Sequence, residues 1–267
     1  MKNFVTKYIT ILSCVIFSTN LLASNIVSQS QCQKQGDEYI YAGGECIQYY
    51  VSEGEKESEI NILVHGTWDA GTNTLGRYAP FADNLSMSTD ITTIAVALPG
   101  YSNSSTNNFQ ALSHAGTKNL AANKEYIHFL SDLVKKLKEN YKATKVNYIG
   151  HSAGAFMGST LTGFSPGLIS TMTSAGAGYD IHSKVKESKQ LISLIDYIDN
   201  IDKETQFLLV YGTKDEISKP QVTIDYYNAL IKKGYKARLV KVKNAPHLDL
   251  DMTDTTVEAV SDMLEKE

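Results

Sequence analysis

The chain has 267 residues, of which 42% are hydrophobic and 20% are charged. This composition supports a large buried core and excludes a disordered, collagen-like or coiled-coil protein. The 25 Lys and Arg residues are outnumbered by 29 Asp and Glu residues, giving a formal charge of −4. Because no overall positive field exists to attract polyanions, neither nucleic acid nor an anionic membrane surface is an expected partner.

The N-terminal 23 residues have the pattern of a secretory signal peptide. Two lysines precede the apolar run Ile9–Phe17, and small residues follow at Ala23 and Ser24. The run is shorter than the roughly 20 apolar residues that span a bilayer, so no stable membrane anchor is expected. We therefore predict a cleaved signal over residues 1–23 and a single domain over residues 24–267.

Cysteine usage agrees with export. Cys14 lies within the predicted signal, which leaves Cys32 and Cys46 as an even pair 14 positions apart. In an oxidising compartment such a pair favours a disulfide, and with no third cysteine nearby a metal site is not expected. The prediction is an exported protein, periplasmic or secreted. A lipoprotein anchored through Cys14 is the alternative, but the preceding residues fit that pattern poorly.

Short β-rich segments begin between these two cysteines. Tyr39–Ala42 and Cys46–Val51 flank Gly43 and Gly44, which predicts a β-hairpin because paired glycines permit the turn. Six further runs follow, most of them nearly continuous in apolar residues, as strands buried on both faces must be. These runs are Ile60–Val64, Ile91–Leu98, Val146–Ile149, Ile169–Ser174, Phe207–Tyr211 and Ala237–Val242.

Helical periodicity separates several of these strands. Apolar residues recur with helical spacing over Tyr126–Tyr141 and over Leu191–Ile198, and Ala155–Leu161 also has a helical pattern. Strands that alternate with helices predict βαβ units and a mostly parallel sheet. The expected fold class is therefore α/β, with the hairpin at its N-terminus and helices on both faces of the sheet.

One motif lies at a strand-to-helix junction. Directly after the fifth strand of the chain comes Gly150-His151-Ser152-Ala153-Gly154, followed by the Ala155–Leu161 helix. A serine at such a corner is held in a strained turn with its hydroxyl exposed, and small neighbours relieve the crowding. We predict Ser152 as a nucleophile and assign His151 to packing or orientation.

A serine hydroxyl needs a base, and the base needs an orienting carboxylate. Asp215 follows the Phe207–Tyr211 strand and His247 follows the Ala237–Val242 strand, so both lie at the same sheet edge as Ser152. We predict Asp215 as the acid and His247 as the base. Asp180, after the preceding strand, is the alternative acid.

A developing oxyanion requires two backbone donors. The Ala153 amide, next to the nucleophile, is one candidate. The Thr67 amide is the other, because it follows Gly66 in the loop after the Ile60–Val64 strand.

These features together resemble an α/β-hydrolase-fold serine hydrolase, over about residues 39–265. The resemblance is carried by His65-Gly66, Leu98-Pro99-Gly100-Tyr101, Gly150 to Gly154, Gly212 to Asp215, and His247. It implies a Ser152–His247–Asp215 triad, oxyanion donors at Thr67 and Ala153, and no cofactor or metal. The His-Gly-Gly-Gly stretch of one lipase and esterase branch is absent. About 30 residues separate Ser174 from Thr205, too few for a large lid, so an open site is expected.

The resemblance implies cleavage of a small acyl ester or a short peptide. We favour a carboxylic ester, with thioesterase, lipase, serine peptidase or a non-catalytic binding protein as alternatives. The sequence does not define the oligomeric state. Candidate residues to line a pocket are Trp68, Arg77, Tyr101 and Phe109. Asp249, Asp251 and Asp254 lack the turn glycine and terminal Glu of a calcium loop, and we expect them to face solvent.

Overall fold

A computed structural model describes residues 26–185 and 188–265, and the predicted signal peptide over residues 1–23 lies outside the described residues. The strands are β1 (Tyr39–Ala42), β2 (Glu45–Ser52), β3 (Lys56–Val64), β4 (Ile91–Val96), β5 (Lys145–His151), β6 (Thr171–Ala175), β7 (Gln206–Gly212) and β8 (Lys236–Val242). The α-helices are α1 (Gln29–Gln33), α2 (Thr74–Thr89), α3 (Lys124–Asn140), α4 (Ala153–Phe164), α5 (Pro220–Lys232) and α6 (Asp254–Leu264).

The eight strands form one sheet in the order β1-β2-β4-β3-β5-β6-β7-β8. β1 and β2 make the predicted hairpin, β2 also runs antiparallel to β4, and all other neighbours are parallel. Helices cover the sheet, with α2 packed against α6 and α3 packed against α4. Every residue of Ile60–Val64 is buried, as a central parallel strand requires. The predicted α/β architecture is confirmed.

Helix α3 illustrates how the apolar stripe positions an element. Asn123 caps the helix by accepting hydrogen bonds from the Glu125 and Tyr126 amides. The predicted stripe is buried at Tyr126, Leu130, Leu133, Val134 and Leu137, while charged residues occupy the exposed face. The helix therefore stabilises the sheet mainly through this buried face.

The predicted helix over Leu191–Ile198 is wrong. This segment contains two 3₁₀ turns, Leu194–Asp196 and Ile198–Asn200. Its first residues pair with another segment, because the Ile192 N–H donates to the Ala122 carbonyl and Gln190 accepts from the Lys124 N–H. The Asp196 carboxylate also accepts from the Ser193 N–H, and such local bonds compete with helix formation.

A disulfide fastens the N-terminal segment to the sheet. Cys32 of α1 and Cys46 of β2 form the predicted bond, and both residues are buried. Closing a loop of this length in the unfolded chain contributes about 3 kcal/mol to stability.

The parallel strands bring five loops to one edge of the sheet. Strands β3, β4, β6, β7 and β8 all end there in loops, and β5 ends there in the turn at Ser152 that begins α4. Between β6 and β7, the only helical turns within the described residues are the two 3₁₀ turns, so no large lid covers this edge. Among residues 26–185 and 188–265, no helix combines the length and apolarity needed to cross a membrane.

Candidate active site

Ser152 occupies a strained turn between β5 and α4. Its backbone has φ 51° and ψ −114°, a conformation that side chains other than glycine rarely adopt. The Ser152 N–H donates to the Ala175 carbonyl over 2.9 Å, which ties the turn to β6. A Cβ added at Gly154 would overlap the Val64 carbonyl oxygen, so only glycine lets α4 begin this close to β3. Steric crowding at this turn thus explains why the motif has small residues.

Three predicted side chains meet in one hydrogen-bond chain. Ser152 Oγ lies 2.8 Å from His247 Nε2, and His247 Nδ1 lies 2.8 Å from Asp215 Oδ2. Because an ionised carboxylate only accepts, Nδ1 carries the imidazole proton and Nε2 is free to accept from the Ser152 hydroxyl. The arrangement suits transfer of the hydroxyl proton to the imidazole.

The second oxygen of Asp215 is fixed by its own loop. Asp215 Oδ1 accepts from the N–H groups of Ile217 at 2.9 Å and Ser218 at 2.8 Å, and the carboxylate side chain is fully buried. Three hydrogen bonds, two from the loop and one from the imidazole, thereby fix the orientation of the carboxylate. Asp180, the alternative acid, instead accepts from the His182 and Ser183 amides of its own turn.

His151 supports the loop that carries His247. Its buried ring donates from Nε2 to the His247 main-chain carbonyl over 2.8 Å, and the two ring centroids are 4.9 Å apart. The side chain therefore contacts His247 and not the reacting hydroxyl, in line with the packing or orienting role expected from sequence.

The loop after β3 lies directly against Ser152. A Cβ added at Gly66 would be 2.9 Å from the Ser152 Cβ, which shows how closely that loop approaches. Within the described part of the chain, the Thr67 and Ala153 N–H groups donate to no other protein group. The Ala153 amide directly follows Ser152, and the Thr67 amide follows Gly66 in the loop that approaches the serine.

The α/β-hydrolase family model matches residues 62–194, a span that runs from β3 through the Ser152 turn. The chain belongs to the α/β-hydrolase fold family. No curated protein matches its sequence significantly.

Solved structures carry the same fold as this α/β hydrolase at low sequence identity. The Pyrococcus furiosus esterase Pf2001 is 15% identical with a TM-score of 0.65, over 85% of this chain and 90% of that one. Est1E from Butyrivibrio proteoclasticus with bound ferulic acid is 15% identical, with a TM-score of 0.59 and coverage of 85% and 96%. The Bacillus cereus carboxylesterase is 15% identical, with a TM-score of 0.58 and coverage of 82% and 94%.

One sequence interpretation needs correction, the expectation that Asp251 lies at the surface with Asp249 and Asp254. Asp251 does not face solvent: it is 1% exposed, and burial raises the pKa of its carboxyl. Asp249 forms an ion pair with Arg77, whose guanidinium lies over the Trp68 ring. The short turn Leu250–Met252 after the His247 loop packs inward, which spacing among aspartates does not reveal.

The proposed pocket residues have mostly structural contacts. Tyr101 is fully buried and donates from its hydroxyl to the Trp68 carbonyl, while Phe109 packs against Tyr126 and Phe129. None of the four candidates lines the apolar groove near the Asp215 loop. The residues that line this groove, including Tyr179 and Ile195, come from separate parts of the sequence, so no sequence motif identifies them.

His65 holds the loop after β3 in place through a neutral ring. Its Nε2 accepts from the Leu98 N–H at 3.1 Å, so Nδ1 carries the proton and donates to the Gly66 carbonyl at 2.7 Å. Burial lowers the pKa of His65 to about 4. Protonation at Nε2 would also remove the acceptor that the Leu98 amide uses.

We expect His65 to make this α/β hydrolase sensitive to acid. Between pH 6.5 and about 4 the unfolded histidine binds a proton that the folded one does not, so the free energy of unfolding decreases as pH falls, by up to about 3 kcal/mol. Urea unfolding at several pH values measures this slope. His65→Gln should be less stable at pH 7 but have a shallower slope, and Asp251, which acts in the opposite sense, is common to both proteins. Equal slopes would contradict the assignment.

Proposed function

We propose that the protein is an exported serine hydrolase that cleaves small carboxylic esters through an acyl-enzyme intermediate. The observation that carries this proposal is the continuous hydrogen-bond chain from Ser152 through His247 to Asp215, with 2.8 Å at each step. A buried acid, a base at hydrogen-bond distance from a strained serine, and two free amides beside it are the parts that acyl transfer requires.

In the proposed mechanism Ser152 Oγ attacks the acyl carbon while its proton passes to His247 Nε2. Asp215 stabilises the resulting imidazolium, and the Thr67 and Ala153 amides bind the oxyanion, each contributing about 3 kcal/mol to the barrier reduction. Collapse expels the alcohol, which takes the proton from Nε2. Water then attacks the acyl-enzyme with His247 as base, releasing the acid and restoring Ser152.

Export is part of the proposal. The Cys32–Cys46 disulfide supports an oxidising compartment, as the sequence pattern over residues 1–23 does, so the functional form begins near residue 24 as a single domain. Thioesters and short peptides would use the same machinery. We favour esters because their alcohol is not a poor leaving group, so its departure needs no help from any residue other than His247.

Reaction with a fluorophosphonate probe tests the proposal without assuming a substrate. We expect the disulfide-intact protein to be labelled, with the adduct on the peptide that contains Ser152 by mass spectrometry. Labelling should disappear in His247→Ala, because the hydroxyl then has no base. A protein that stays unlabelled, or that reacts at a different serine, would contradict the proposed function and favour a binding role on this fold. If labelling succeeds, parallel assays with ester, thioester and peptide substrates identify the bond that is cleaved.

A further inference from the structure

An apolar groove lies beside the acid loop, between the segment that follows β6 and the start of α5. Its volume is about 370 Å³, and most of its exposed lining is apolar, including Tyr179, Leu194, Ile195, Ile217 and Val222. The charged residues Asp180, Lys184 and Asp225 also line it. Ile195, Ile217 and Val222 are 51%, 71% and 41% exposed, and they belong to the small set of large hydrophobic residues that the described chain leaves exposed. Because clustered exposed apolar side chains mark binding sites, we interpret this groove as a ligand-binding site.

The floor of the groove is rigid. The rings of Tyr179 and Tyr226 are stacked with centroids 3.9 Å apart, and the Tyr179 hydroxyl is hydrogen-bonded to Ser174 Oγ of β6 at 2.9 Å. Both tyrosines are buried. A preformed apolar surface of this kind binds a ligand without the entropic cost of ordering it first.

The groove begins close to Ser152. The Ser152 N–H is bonded to the Ala175 carbonyl, and Gly178, which lines the groove, is three residues further along the chain. Three residues extend at most about 10 Å. Gly176, between them, approaches both Asp215 and His247, since a Cβ there would lie 3.2 Å from each side chain. The segment Gly176–Gly178 therefore connects the surroundings of Asp215 and His247 to the wall of the groove.

The strand order places the Thr67 amide and the groove on opposite sides of Ser152. The Thr67 amide follows β3, on one side of β5, whereas the groove lies beyond β6 and β7, on the other side. With the oxyanion toward β3, the acyl chain and the alcohol both lie on the side of β5 where the groove and His247 are found. The alcohol must stay near His247 Nε2 to receive the proton, which leaves the groove to the acyl chain.

We infer that this groove is the acyl-binding site and that the protein prefers esters of apolar acids with about six to ten carbon atoms. The inference rests on the proposed ester hydrolysis and adds the substrate class. Eight carbons joined by bonds of about 1.5 Å span about 10 Å, which matches the greatest length of the three-residue segment from Ala175 to Gly178. The volume is more than twice that of a cavity that holds benzene, so a medium-length chain or one substituted ring fits.

The test uses 4-nitrophenyl esters, which keep the leaving group constant while the acyl chain grows from acetyl to decanoyl. We expect kcat/KM of the wild type to rise about threefold to fourfold for each added methylene, up to about the octanoyl ester, because each methylene leaves water for the groove. A profile that is flat or that falls from acetyl onward would overturn the acyl-site assignment.

Matched variants locate the effect. Val222→Asp places a charge in the groove, whereas Ile231→Asp places one on the same helix at a residue that is similarly exposed, 47%, but does not line it. We expect Val222→Asp to lower kcat/KM for the octanoyl ester at least about tenfold and for the acetyl ester less than twofold, with Ile231→Asp changing neither.

A second variant changes the size of the groove without adding charge. A Cβ added at Gly178 meets no atom within 4 Å, so Gly178→Leu should fold normally and shorten the preferred chain. Equal losses on both esters in Val222→Asp, or an unchanged optimum in Gly178→Leu, would overturn the inference. Fluorophosphonate labelling of each variant separates the outcomes: labelled protein without the chain-length effect refutes only the acyl site, whereas unlabelled wild type refutes the proposed hydrolase.

Discussion

Ser152→Ala should lower kcat/KM for ester hydrolysis by about 10⁴-fold to 10⁶-fold while leaving the fold intact. The substitution removes the only oxygen placed 2.8 Å from His247 Nε2, so no acyl-enzyme can form. The hydroxyl makes no other hydrogen bond within the described residues, and the backbone strain at φ 51° is carried equally by alanine. Initial rates with an activated ester, together with circular dichroism, measure the two effects separately.

Ser88→Ala provides the control for this variant, because Ser88 is an exposed helical serine whose hydroxyl bonds only to the Asn84 carbonyl. It should retain wild-type activity. If Ser152→Ala kept more than about a hundredth of the rate with its fold unchanged, the nucleophile would have to be sought elsewhere.

Much of the hydrogen-bond chain could be predicted because it depends on chain order and strand ends. Ser152, Asp215 and His247 each follow a strand with a clear β pattern, and parallel strands bring their carboxyl ends to one edge. The strained serine turn also has local sequence requirements, since Gly154 must lack a side chain to pass Val64. The local sequence around Ser152 and the order of the strands therefore lead to the same prediction for this turn.

Other features depend on tertiary contacts that no local pattern encodes. The segment over Leu191–Ile198 has helical periodicity, yet pairing of its first residues with Ala122 and Lys124 prevents a helix. Asp251 has the composition of a surface turn, but the chain after His247 turns inward and buries it. The apolar groove is assembled from single residues of two loops and one helix, so its lining was not predictable from the sequence.

Asp215→Asn should lower kcat by about 10⁴-fold. The cause is a change in which nitrogen of His247 carries the imidazole proton, not a loss of packing. Asp215 Oδ1 accepts from the Ile217 and Ser218 amides, so the asparagine carbonyl oxygen must take that position and its NH₂ group must face His247. The NH₂ group donates to Nδ1, which forces the imidazole proton onto Nε2. In that tautomer His247 donates to Ser152 and can no longer accept the hydroxyl proton.

Asp180→Asn discriminates between the two candidate acids, because Asp180 bonds only to its own turn and should be dispensable for catalysis. Asp180 lines the apolar groove, so the substrate is the acetyl ester, whose acyl group is too short to occupy it. Steady-state rates of both variants with this ester, and thermal unfolding of each, measure activity and stability in parallel. A large loss in Asp180→Asn with normal rates in Asp215→Asn would reverse the assignment. Because the asparagine at 215 is nearly isosteric and keeps both loop amides paired, its thermal stability should remain close to that of the wild type, and the lost rate then reports the tautomer of His247.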